Sequence, residues 1–293
     1  MKKILLTGGS GFIGHNILEQ LGTVYEISAP GHAELDLLND DQVQQYLKSG
    51  RFDAVIHSAV KPGHRNASDL SGLVEANTRM FFNLARCRSL FGSMLFLGSG
   101  SVYDTRQNLS SVPEEAFDMH VPADPVGYAK YLCSTFIQTT DNIFDLRIFG
   151  IFGKYEDYAI RFISNAICKT LFDLPITCRQ NRTFSYLFID DLMPVLKFFI
   201  ETPPPERAYN ITPEETVELA GIARTVAALS GTNVPVQIAQ SGNGLSYSGD
   251  NARLRKDMPG VTMTPIDQAI RKLYDWYRAH QSSLDRSKLL VDK

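Results

Sequence analysis

The stretch Thr7-Gly8-Gly9-Ser10-Gly11-Phe12-Ile13-Gly14 constrains this chain more than any other. It follows the apolar run Ile4-Leu5-Leu6 and precedes Ile17-Leu18-Glu19-Gln20-Leu21. That order predicts a strand, a tight glycine turn and a helix. Each glycine has its own task. Gly8 permits the turn, Gly11 lets a pyrophosphate approach the backbone, and Gly14 lets the helix lie close to the strand. The helix N-terminus adds free N–H groups and the positive end of a dipole. Thr7, Gly8, Gly11, Phe12, Ile13 and Gly14 are therefore the candidate contacts of a dinucleotide.

The rest of the first half repeats this alternation. Strands are expected at Lys3–Leu6, Tyr25–Ser28, Ala54–His57, Met94–Leu97 and Phe144–Arg147, with helices near 12–21, 40–49, 69–91 and 127–141. Such βαβ repetition predicts an α/β fold with a doubly wound parallel sheet. Further on, helices are expected at Ala159–Leu171, Asp191–Glu201, Glu214–Leu229 and Pro265–His280, with a short strand at Ile176–Cys178. A Gly/Ser-rich loop is expected at 241–249, and a frayed tail after Gln281. With 293 residues the chain can bury a full core. A net charge of −3 gives no reason to expect nucleic acid or an anionic membrane as a partner. Cys87, Cys133, Cys168 and Cys178 lack metal-ligand spacing and read as reduced thiols, so a cytoplasmic setting and no metal are expected. No apolar run reaches the roughly 18 residues of a membrane span, and the first strand begins too early for a signal peptide.

The G-x-x-G-x-x-G spacing is followed in order by further motifs: Ser99-Gly100-Ser101-Val102-Tyr103, Leu146-Arg147-Ile148-Phe149, Leu174-Pro175-Ile176-Thr177, Asp190-Asp191, Tyr209-Asn210-Ile211, Thr264-Pro265-Ile266 and Trp276-Tyr277. Together they resemble the NAD(P)-dependent epimerase/dehydratase family, the extended branch of the short-chain dehydrogenases/reductases. The resemblance implies a Rossmann-type dinucleotide domain at 1–150, with 184–202 returning to it. It also implies a smaller C-terminal substrate lobe at 151–183 and 203–293. The implied activity is reduction or epimerisation of a nucleotide-activated 4-keto sugar. A homodimer through the helices 69–91 and 127–141 is expected.

In that family a tyrosine gives or takes the proton at the sugar oxygen, tuned by a lysine four residues later, while a serine holds the same oxygen. Ser99 and Lys130 match the serine and the lysine. The tyrosine position holds Val126, which offers no proton. Tyr128 is nearest, yet at about 100° per residue it points almost opposite to Lys130 on a helix. Tyr103, Ser101, His120 and Tyr158 are further candidates for the donor. Restoring the motif by Val126→Tyr is expected to raise turnover. The alternative is a dinucleotide-binding redox sensor or partner subunit without turnover.

Gly100-Ser101 carries no carboxylate pair, which disfavours dehydration, and Ser101 stands where epimerase-reductases carry a cysteine, which disfavours double epimerisation. The second strand ends in Ser28-Ala29-Pro30-Gly31-His32 without an acid to bind a ribose 2′-hydroxyl, so NADP is preferred to NAD. The resemblance places Asp36 and Leu37 at the adenine, Ser58 and Ala59 under the cofactor and Phe149 at the nicotinamide, with Asn77 structural. On the substrate side Ser101, Tyr158, Arg179 and Arg182 are candidates. The two arginines would compensate for Gly150 and Phe184, which replace an asparagine and an arginine of the family pattern.

Overall fold

A computed structural model describes residues 1–64 and 67–290. Along the chain, β1 (Lys3–Thr7), β2 (Glu26–Ser28), β3 (Ala54–His57) and β4 (Ser93–Ser99) alternate with α1 (Phe12–Leu21), α2 (Asp40–Gly50) and α3 (Leu73–Ala85). Next come β5 (Leu109–Val112), α4 (Pro125–Ile137), β6 (Ile143–Ile148), β7 (Gly150–Phe152) and α5 (Phe162–Thr170). Three strands follow, β8 (Ile176–Asn181), β9 (Thr183–Phe184) and β10 (Tyr186–Phe188), then α6 (Ile189–Glu201) and β11 (Ala208–Ile211). The last elements are β12 (Val217–Glu218), α7 (Leu219–Ser230), β13 (Val236–Asn243), β14 (Tyr247–Gly249), α8 (Ala252–Asp257) and α9 (Ile266–Ala279).

The central sheet has six strands in the order β11-β6-β4-β3-β1-β2, every neighbouring pair parallel. Both faces are covered, as the continuous apolar strands require. Period-two alternation splits each strand between two cores. Ile4, Leu6, Ile56, Leu95, Leu97, Phe144 and Leu146 join one that also takes in α1, α5, α6, α7 and α9. Leu5, Val55, Met94, Phe96 and Ile143 join the other, under α2, α3 and α4. The chain winds from β1 outward to β2, then returns to β3 on the opposite side. The C-terminal ends of β1 and β3 therefore flank a switch point, where ligands of such sheets bind.

The doubly wound α/β expectation holds, with local differences. α3 is shorter than 69–91: Asp69 Oδ1 accepts from the N–H and hydroxyl of Ser71, and Gly72 adopts φ +55°, so the helix starts only at Leu73. The 241–249 segment is not simply a loop. β13 runs parallel to β8, and β14 lies between β5 and β9. β11, assigned to the substrate lobe, is the edge strand of the central sheet beside β6. From Gln281 to Leu290 the tail is not frayed: Arg286–Leu289 forms a 3₁₀ turn and Leu289 is buried in the larger core. Among the described residues no helix is long and apolar enough to cross a membrane.

Candidate active site

The glycine turn is packed to a closeness that only glycine tolerates. Gly8 has φ +74°, and a Cβ there would lie 2.7 Å from Ala59 N. A Cβ on Gly14 would lie 2.2 Å from Gly8 O. Thr7 Oγ1 accepts from Ala59 N at 3.3 Å and meets His57 Nδ1 at 2.8 Å, tying the end of β1 to the end of β3. Burial, aided by the charge of Lys130, pushes the His57 imidazolium down to about 3, so this ring is neutral. α1 begins at Gly11 without a side-chain cap, which leaves its first N–H groups for an anion. These residues fit a dinucleotide: the turn approaches closely and the helix end is open.

A cavity of about 280 Å³ lies on one side of the turn, lined by Thr7, Gly8, Ala29, His32, Asp36, Leu37 and Ala59 among others. Asp36 Oδ1 caps the backbone N–H of Leu38, and the Asp36 N–H donates to Gln42. His32 is the one basic side chain in this lining. On the other side a cleft of about 520 Å³ opens between the sheet and the C-terminal segments. Ile13, Ser58, Ser99, Lys130 and Phe149 all line it. Asn77 holds the chain beyond β3 by accepting from Lys61 N and donating to Lys61 O, a structural part.

α4 sets the phase of the catalytic candidates. Asp124 caps it by accepting from Gly127 N at 2.7 Å, and Pro125 occupies the first turn. Lys130 then faces inward: its Nζ donates to Leu97 O at 2.7 Å and lies 4.3 Å from the Phe96 ring centre. Burial lowers its pKa from the usual lysine value. Ser99, at the end of β4, is half-buried, and its Oγ accepts from Ser101 N. Tyr128 points away, 37% exposed and stacked on Tyr131. Val126 does not face an empty slot, since its Cγ2 is 2.5 Å from where a Gly63 Cβ would stand.

None of the other donor candidates lines the cleft. Tyr103 is buried, donates to Asn210 Oδ1 and accepts from Arg147, within a network completed by Asp145 and Ser134. Tyr158 accepts from Asp285 N, and it is not among the residues lining the cleft. Ser101 is not in that lining either, and His120 is exposed. A tyrosine missed by sequence reasoning is present instead. Tyr247, on β14, lines the cleft with its hydroxyl 3.4 Å from Ser99 Oγ. The only sequence signal is the alternation Leu245-Ser246-Tyr247-Ser248, a strand period within a stretch that reads as loop.

The cleft continues into a second cavity of about 490 Å³, sharing Ile160, Phe162, Phe184 and Leu219 with it. Arg179 and Arg182 line this cavity, the latter over the Phe184 ring with Nε donating to Leu245 O. Gly150 leaves no room for the family's asparagine: a Cβ there would lie 2.8 Å from Ser185 O and 2.9 Å from the Tyr186 ring. Tyr186 and Arg161 also line the cleft, and neither stands out in sequence.

Known proteins resemble this chain in sequence and in fold. The profile of the NAD dependent epimerase/dehydratase family matches residues 4–212. A GDP-L-fucose synthase of Azorhizobium caulinodans is 34% identical over 107 residues, 35% of this chain and 34% of that protein. A GDP-L-colitose synthase of Yersinia pseudotuberculosis is 29% identical over 170 residues, 53% of this chain and 55% of that protein. The chain thus spans about a third to a half of the length of these curated relatives. Among solved structures, a GDP-mannoheptose C4 reductase of Campylobacter jejuni with NADP bound superposes with a TM-score of 0.81 at 17% identity, covering 94% of this chain and 98% of that one.

Proposed function

Since this chain belongs to the NAD dependent epimerase/dehydratase family, we propose that it reduces or epimerises a nucleotide-activated sugar through a keto carbon, with NADP preferred to NAD. The observation that carries the reading is one cleft lined by Ile13 next to the glycine turn, by Ser99 at a strand end and by inward-facing Lys130, continuous with a cavity that holds two arginines. The relatives matched in sequence are named for GDP-sugar synthesis, and the structural neighbour is a C4 reductase with NADP bound. No acid stands in Ser28-Ala29-Pro30-Gly31-His32 at the end of β2, and His32, which faces Asp36 at 3.7 Å, lines the smaller cavity beside the glycine turn; the first of these supports the preference for NADP.

When bound, the nicotinamide supplies or accepts a hydride. The chain's own residues do the rest. The α1 N-terminus and the glycine turn take the pyrophosphate. Lys130, fixed by Leu97 O, presents a cation to the ribose hydroxyls. Phe149, buried beneath Gly100 and Gly249, forms a rigid apolar floor for the ring. The Ser99 hydroxyl holds and polarises the sugar oxygen. Arg179 and Arg182 pair with the diphosphate. The outward faces of α3 and α4, where Phe82 and Tyr128 are each 37% exposed, support a homodimer contact. Four buried free cysteines accord with a reducing, cytoplasmic setting.

The test is oxidation of NADPH, and in parallel NADH, with a panel of nucleotide 4-keto-6-deoxy sugars, beside calorimetric binding of the same nucleotides. Turnover with a preference for NADPH is expected. Val126 favours the second reading, a dinucleotide binder without turnover. Cofactor binding that is indifferent to every nucleotide-sugar would establish it.

A further inference from the structure

Resting on that reading, we propose that Tyr247 is the catalytic proton donor, replacing the tyrosine that Val126 displaces and acting with Ser99 on the sugar oxygen. Its hydroxyl and that of Ser99 lie 3.4 Å apart, so one ligand oxygen can lie within reach of both. Apo hydrogen bonds of this kind tighten when the ligand arrives.

The donor is held as a catalytic group must be. Tyr247 pairs with Leu109 of β5 and with Phe184 of β9, and its carbonyl accepts from Ser185 N at 3.1 Å. Its ring rests against Phe149 at 5.1 Å and Phe184 at 5.8 Å between centres. Phe149 is fixed in turn, because Gly100 and Gly249 leave just enough space for it. The hydroxyl therefore has little freedom to leave Ser99. Tyr103 and Tyr158 have their hydroxyls committed to structural bonds, and Tyr128 faces outward. Tyr186 shares the cleft, where its ring packs on Phe152 and Phe184.

The step balances. The carbonyl carbon gains a hydride from the reduced nicotinamide dinucleotide, and the C=O π pair moves to oxygen. That oxygen takes the phenolic proton of Tyr247, and the phenolate regains a proton from water. Burial holds Tyr247 up to about 12, while its hydrogen bond with Ser99 and the charge of Arg161 lower it and the charge of Asp124 raises it. Like any phenol below its pKa, the group carries its proton at pH 7 and so enters the step as the donor.

The test uses the full chain with ζ-¹³C-tyrosine, the Tyr247 resonance being assigned by its loss in Tyr247→Phe. Oxidised NADP places a positive ring in the cleft and should lower the ionisation midpoint of Tyr247 by at least one pH unit, whereas NADPH should not. In parallel, Tyr247→Phe should lower kcat at least 100-fold, within the range of general acid catalysis, with NADPH and nucleotide-sugar dissociation constants unchanged within threefold. Circular dichroism and the melting temperature verify its fold. Retention of kcat within threefold overturns the proposal, as does loss in Tyr186→Phe or Tyr128→Phe with retention in Tyr247→Phe. If no nucleotide-sugar of the panel is turned over by the parent, the broader reading fails and the resonance still decides. A midpoint unmoved by NADP removes Tyr247 from the reacting centre, and a lowered one keeps it there.

Discussion

Replacing Gly14 by alanine is the sharpest probe of the dinucleotide site. The new Cβ would lie 2.2 Å from Gly8 O, 2.7 Å from Gly9 Cα and 2.9 Å from Gly8 C, all backbone atoms of the turn. No flexible side chain can yield, so α1 must retreat by about 1 Å to reach the roughly 3.2 Å of a tight contact. Overpacking of this kind costs about 1–3 kcal/mol. With an unfolding entropy of about 2.1 cal/mol/K per residue, a chain of 293 residues should melt about 2–5 °C lower. The same retreat carries the first N–H groups of α1 out of hydrogen-bond range of a pyrophosphate. Losing one charge-assisted hydrogen bond is worth about 1.5–3 kcal/mol, or roughly 10- to 150-fold in affinity. Fluorescence titration with NADPH reads the second effect, and calorimetry the first. Gly221→Ala in α7 is the matched control. Nothing lies within 4 Å of its new Cβ, so the same chemical change should stabilise by about 0.5–1 kcal/mol and leave the titration untouched. If Gly14→Ala binds NADPH within threefold of the parent, the pyrophosphate does not lie on this turn.

Three further outcomes are expected. His57 is neutral when folded because burial holds it down to about 3, whereas unfolded it titrates near 6.5. Between those values the unfolded chain binds the extra proton, so stability rises with pH by about 1.4 kcal/mol per unit. Urea unfolding at pH 6.5 and 5.0 should show the parent losing about 2 kcal/mol more than His57→Gln, and equal losses would refute this. Arg147→Met strips the buried Asp145 carboxylate of its 2.8 Å partner and should cost about 3–5 kcal/mol. The double change with Asp145→Leu should recover part of that loss in thermal melts, and a single-variant cost below about 1 kcal/mol would contradict the burial argument. Val126→Tyr, expected from sequence to raise turnover, enlarges a side chain that already lies against Gly63. It should destabilise by about 1–3 kcal/mol without raising kcat, and faster turnover would show that the original slot is still open.

The legible parts of this protein were those whose requirements are local. The glycine turn was readable because backbone closeness admits one residue type, and the central strands because two-sided burial leaves unbroken apolar runs such as Met94–Leu97. The phase argument that separates Tyr128 from Lys130 also needs only helix geometry, and the structure agrees with it. What sequence left out depends on distant partners. β14 is three residues long, too short for a period to register, and it exists because β5 and β9 flank it. Apart from that brief alternation, nothing set Tyr247 apart among twelve tyrosines. β11 read as a motif without a place until its pairing with β6 put it at the sheet edge. Gly150 looked like a lost asparagine, whereas the neighbouring Tyr186 ring fills the space a side chain would need.

The larger core passes without a break from Ile4 and Leu6 of the sheet through α5, α6 and α7 to Tyr277 and Leu289 near the C-terminus. Enzymes that swing two halves apart on a hinge keep such a boundary thin. Here a swing would have to expose apolar surface of the same core that stabilises the fold, at about 25 cal/mol for every Å² uncovered. Traffic of ligands through the cleft is thereby left to the turns and side chains at its mouth. On the proposed function, substitutions such as Leu245→Ala, at a residue 42% exposed beside Arg182 that lines the second cavity, should change how fast a nucleotide-sugar enters and leaves without touching the reacting atoms.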